Sequence, residues 1–163
     1  MVVSQEVKDC IINNAAKGSD FHISLLRDMK KGLTTGQVQA VEFGLQYPNK
    51  FEAPKGEIVL WICPHKITEK KYPYGWDKEL KETLYNISYR IVARTMNNEQ
   101  VLISSSKLTE DIIMLSEECG LSTRDAENNM VFSKEYINTD KWFLVVGRWD
   151  GFKITHIKSI KGS

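Results

Sequence analysis

Three β-strand patterns in close succession, between residues 57 and 106, constrain this chain more than anything else in it. The first, from Glu57 to about Lys66, is apolar at both parities: Ile58, Leu60 and Ile62 alternate against Val59, Trp61 and Cys63, as in a strand covered on two sides. Pro64 has no N–H for a ladder and marks a bulge or an edge. The second, Leu84 to Thr95, puts Tyr85, Ile87, Tyr89, Ile91 and Ala93 on one face and Asn86, Ser88, Arg90, Val92 and Arg94 on the other. Asn97-Asn98 is a two-residue hairpin signal, since asparagine tolerates positive φ. A third strand follows from Val101 to Ser105.

Upstream, the periodicity predicts three short helices. Ser4 caps one that carries Val7, Cys10 and Ile11 and stops before Gly18. Ser19 or Asp20 starts another with Phe21, Leu25, Leu26 and Met29 on one side. Thr34 or Thr35 caps a third, striped by Val38, Val41 and Leu45 and broken at Tyr47-Pro48. Residues 48–56 hold two prolines and a glycine and read as a linker, so the expected division is a helical segment 1–47, a linker 48–56 and a strand-rich domain 57–163.

Downstream, Ser106 or Thr109 leads a helix through Ile112, Ile113 and Leu115 that ends near Gly120. Residues 121–140 are polar and acidic, with Met130, Val131 and Phe132 their one apolar cluster. A fourth strand is predicted from Lys141 to Gly147, a tight turn at Arg148-Trp149-Asp150-Gly151, and a fifth strand from Phe152 to Ile160. Strand, strand, strand, helix, strand, strand is the element order of the OB-fold. The predicted class is α+β: a five-stranded OB-like Greek-key β-barrel with a helix between strands 3 and 4, preceded by the short N-terminal helical segment.

Charge is segregated although the formal net charge is only +1. Nine Lys/Arg face six Asp/Glu over residues 55–107, and five face one over 141–163; over 108–140 two face eight. Basic strand segments flanking an acidic insert favour a polyanionic partner for the former. No run nears the roughly 18 apolar residues of a membrane span, and the first residues lack the basic flank and apolar stretch of a secretory signal, so the expectation is a cytoplasmic protein with no membrane partner.

Cys10, Cys63 and Cys119 are far apart and odd in number, which suits buried free thiols. Cys63 with His65 is half a metal site at most, and zinc takes four ligands; no metal or cofactor is expected. His22 and His156 read as surface residues, and Glu110, Asp111, Glu117 and Glu118 as a wet helix face. With no Ser/His/Asp set, Gly-rich phosphate loop or partnered carboxylate pair, a non-enzymatic protein is expected.

The run Asp20-Phe21, Ser24-Leu25 and Lys31-Gly32-Leu33-Thr34-Thr35-Gly36-Gln37-Val38-Gln39-Ala40-Val41, followed by Ala53-Pro54-Lys55-Gly56 and a long first strand, resembles small phage replication-associated proteins. Those join a helical segment to an OB-fold-like nucleic-acid-binding domain. The resemblance implies a role in phage or mobile-element replication and a binding face on strands two and three, flanked by the first and last hairpin loops.

Single-strand binders set stacking rings beside cations that meet phosphates. The first loop offers Lys70, Lys71, Tyr72, Tyr74, Trp76 and Lys78; the second strand offers Arg90 and Arg94, about 13 Å apart on one face; the last turn offers Arg148, Trp149, Phe152 and Lys153. Trp149 is too bulky to fill a turn and is either a stacking platform or a lid on the barrel end. These residues point to a single-stranded nucleic-acid-binding protein, DNA ahead of RNA. The competing reading is a phage-type protein-interaction module, a host-factor or anti-defence protein that uses the acidic 108–140 segment.

Overall fold

The computed structural model describes residues 3–162, which form two compact units, one ending at Pro48 and one beginning at Asn49. In the first, α1 (Gln5–Ala16), α2 (Asp20–Asp28) and α3 (Thr35–Gln46) each start at a hydroxyl that accepts from an orphan backbone N–H: Ser4 from Val7, Ser19 from His22, Thr34 from Gln37. At α3 the Gln37 side chain reciprocates onto Thr34, completing a capping box. Helices this short are marginal alone; they hold by burying Val7, Ile11, Leu25, Leu33, Val38 and Val41 against one another.

The second unit contains β1 (Gly56–Asp77), β2 (Glu82–Thr95), β3 (Gln100–Ser105), α4 (Glu110–Glu118), β4 (Ser122–Arg124), β5 (Met130–Phe132), β6 (Phe143–Trp149) and β7 (Ile154–Gly162). Five strands close a ring in the order β1-β2-β3-β7-β6, while β4 and β5 make a separate hairpin. Neighbours in the ring are antiparallel except β3 and β7. β1 serves two partners: Gly56–Ile62 pair with β6 and Ile62–Asp77 with β2. The change of partner coincides with a bulge between Pro64 and Lys66, where a missing N–H costs the ladder least.

Alternation then decides the core. Ile91 and Ala93 of β2, Val101 and Ile103 of β3, Phe143 and Val145 of β6 and Ile154 and Ile160 of β7 are all buried, and α4 adds Ile112 and Leu115 to the same cluster. Asp111 ties the helix to the ring by accepting from the Ile160 N–H at 3.0 Å. Residues 49–51, inside the stretch expected to be a linker, are anchored: Phe51 N–H donates to Gln100 O and Gln100 N–H to Asn49 O, both at 2.8 Å.

Four expectations are corrected. The first strand does not end near Lys66 but continues to Asp77, so the aromatic stretch is half of a two-stranded ribbon rather than a loop. The β2–β3 connection is four residues, 96–99, with Asn98 left-handed at φ 58. The acidic insert contains the β4–β5 hairpin. Finally, Trp149 ends β6 and the turn lies one step later, so Phe152 belongs to the turn and not to the last strand. Its Asp150 Oδ1 accepts from the Phe152 and Lys153 N–H groups at 2.8 and 2.9 Å, which holds the Asp150 carboxyl below its ordinary range. Gly147 is dictated by β7, which bulges opposite it: a Cβ there would sit 2.9 Å from Thr155 O.

Candidate nucleic-acid interface

The inward set on β2 leaves Arg90 and Arg94 on its outer face, as alternation requires, beside Thr68 and Ser104 in one register row and Cys63 and Gln100 in another. The two guanidinium groups then diverge. Arg90 Nη2 donates to Tyr72 Oη at 3.3 Å on the exposed ribbon, and its Nε is buried without a hydrogen-bond partner. Arg94 is engaged on several sides: Nε donates to His65 Nε2 at 3.2 Å, Nη1 to Asn98 Oδ1 at 3.1 Å, Nη2 lies 3.7 Å from Asp140, and the group sits 5.0 Å over the Trp142 ring.

The ribbon carries Lys70, Lys71, Tyr72, Tyr74, Trp76 and Lys78 in the open. Asp77 closes its four-residue tip by accepting from the Glu79 and Leu80 N–H groups at 2.9 and 3.2 Å. A bulge between Pro73 and Gly75 makes Tyr74 the extra residue and reverses the parity beyond it. Tyr72 pairs with Asn86 and shares the Arg90 face, together with Lys70 opposite Ser88. Trp76 pairs with Thr83 and falls on the other face with Lys71, Tyr85 and Ile87. The rings are therefore 43% (Tyr72), 61% (Tyr74) and 57% (Trp76) exposed yet do not form one continuous stack.

At the far turn the four sequence candidates separate. Arg148 is exposed, Lys153 half-buried and Phe152 85% exposed. Trp149 is 2% exposed, with its ring 5.0 Å from that of Phe51 in a T-shaped pair. It closes the core and offers no face for stacking, which corrects its inclusion among the stacking candidates.

Sequence reasoning missed the segment 133–142, an irregular strap along β1. Ile137 N–H donates to His65 O at 2.8 Å, the His65 Nδ1–H returns to Ile137 O at 3.0 Å, and Cys63 Sγ donates to Thr139 O at 3.2 Å. Tyr136 also places its ring 5.0 Å from Lys66 Nζ. Polar residues without periodicity carry no signal for such a path; the available hint was a histidine directly after the proline that marks the bulge. Burial raises the Cys63 and Cys119 thiols, the latter to about 11, so both are packing groups rather than nucleophiles.

His65 links strap and sheet and must be neutral, because its Nε2 accepts from Arg94. Burial, together with the Arg94 charge, pulls its pKa below the ordinary 6.5 despite the Ile137 carbonyl. The unfolded chain therefore binds a proton more readily than the folded one. The contribution of neutral His65 is complete above about pH 7 and is lost progressively as pH falls below the ordinary histidine value, levelling off under the folded pKa. Thermal unfolding followed from about pH 7.5 to 5.5 should show a falling midpoint in the wild type and a flatter profile in His65→Gln. Equal slopes in both proteins would reject the assignment.

Among the described residues no helix is long and apolar enough to cross a membrane. Compared with family models, curated protein sequences and solved structures, the chain matches none.

Proposed function

We propose that the unit beginning at Asn49 is an OB-type barrel that binds single-stranded nucleic acid, DNA ahead of RNA, as a non-catalytic protein of the phage or mobile-element replication type. Ring order β1-β2-β3-β7-β6, a parallel β3–β7 closure and a helix in the connection from the third ring strand to the fourth support the OB reading. The observation that carries the function is one face on which Arg90 and Tyr72 meet at 3.3 Å, flanked by exposed Lys70: a cation for phosphate beside a ring for a base. Three free thiols suit a reducing compartment such as the cytoplasm.

Counterion release makes the reading quantitative. The affinity for an oligothymidylate of about 12 nucleotides should fall with salt, with a log–log slope of about −0.7 per phosphate contacted. Arg90→Ala should flatten that slope by about 0.7. A wild-type protein that fails to bind at low salt, or binds with no salt dependence, sinks the reading.

A further inference from the structure

Resting on that reading, we propose that Arg94 is a second nucleotide subsite of the same interface and that the chain keeps it filled with a stand-in of its own: Asp140 in place of a phosphate and Trp142 in place of a base. Arg94 lies on the Arg90 face of β2, one row from the sheet's turn, and faces the two kinds of group that a nucleotide would bring. The Asp140 carboxylate is 3.7 Å from Nη2, and the indole of Trp142 lies 5.0 Å beneath the guanidinium. Arginine stacks on bases in this manner. The strap repeats the arrangement nearby, where Tyr136 is set against Lys66.

The subsite itself is built independently of Asp140. Neutral His65 and Asn98 accept from Nε and Nη1, which orients the guanidinium and turns Nη2 toward the strap without cancelling its charge. The stand-in is weakly held. Its carboxylate is 96% exposed, and the 3.7 Å separation is long beside the 2.7–2.9 Å of charge-assisted hydrogen bonds. The Arg94 side chain is itself only 16% exposed, so what exchanges readily is the solvent-facing Asp140 carboxylate. The strap is held on both sides of it, at Ile137 and Thr139 before and by the Lys141 Nζ–Glu118 O bond at 2.8 Å and buried Phe143 after. An incoming phosphate thus competes first for the Asp140 position, by rotation of that one side chain, while the anchors stay.

The test uses full-length protein, the labelled oligothymidylate and four variants: Asp140→Asn, Glu127→Gln, Arg90→Ala and the double Asp140→Asn/Arg94→Gln. Glu127 is an exposed acid of the β4–β5 turn, so its amide matches the charge change away from Arg94. The expected result is a gain in affinity of about 3- to 10-fold for Asp140→Asn and a salt slope steeper by about 0.7. Glu127→Gln should gain less than about 2-fold, and the added Arg94→Gln should erase the Asp140→Asn gain. If the wild type binds, Arg90→Ala weakens it and Asp140→Asn behaves like Glu127→Gln, the subsite proposal is overturned and the interface stands. If neither wild type nor Asp140→Asn binds at low salt, the interface reading falls and takes the subsite with it.

Discussion

Trp149→Ala should destabilise the sheet unit by about 3–5 kcal/mol, a loss of roughly 10 °C or more in thermal midpoint, while leaving oligonucleotide affinity of the still-folded protein within about 2-fold. The indole is buried in the cluster with Ile58, Ile154 and Val145 and packs on Phe51. Truncation would leave a cavity at the end of the ring where the Asn49–Phe51 segment is pinned to Gln100. The opposite outcome, normal stability with lost binding, would mean that the ring leaves the core to meet a base. Differential scanning fluorimetry beside fluorescence anisotropy separates the two.

Tyr72→Ala should have the converse profile. The ring is exposed, so stability should change by less than about 0.5 kcal/mol, whereas removing a stacking platform costs about 1–3 kcal/mol, or roughly 5- to 150-fold in affinity. Because the Tyr74 bulge turns Trp76 to the opposite side of the ribbon from Arg90, Trp76→Ala should weaken binding less than Tyr72→Ala. A larger loss at Trp76 would move the nucleic-acid path to the side holding Tyr85 and Ile87. Anisotropy titrations of both variants at one salt concentration decide between these faces.

Where the controlling physics is local, the residues announce the structure. Ser4, Ser19, Thr34 and Thr109 each cap the helix that follows, because a cap is a bond between a side chain and an N–H three residues away. The inward set Ile91 and Ala93 and the outward set Arg90 and Arg94 follow from the two-residue period of a strand with one wet side. The ribbon is the contrary case. Residues 69–76 are exposed on both faces, so nothing imposes an apolar alternation, and their pairing with β2 rests on backbone bonds to which every residue type except proline contributes alike.

Composition and spacing by themselves determined the mixture of helices and strands, the order of the helices and of the five ring strands, the caps and which side of β2 is charged. Tertiary structure alone decided which rings stand in water and what meets each arginine. Trp149 is drawn inward by the Phe51 segment, Tyr72 and Trp76 are parted by a single extra residue, and Arg94 receives Asp140 and Trp142 from a strap more than 40 positions along the chain. Such contacts join residues distant in sequence through the closure of the ring, and neither propensity nor period carries information about a partner that only closure brings near.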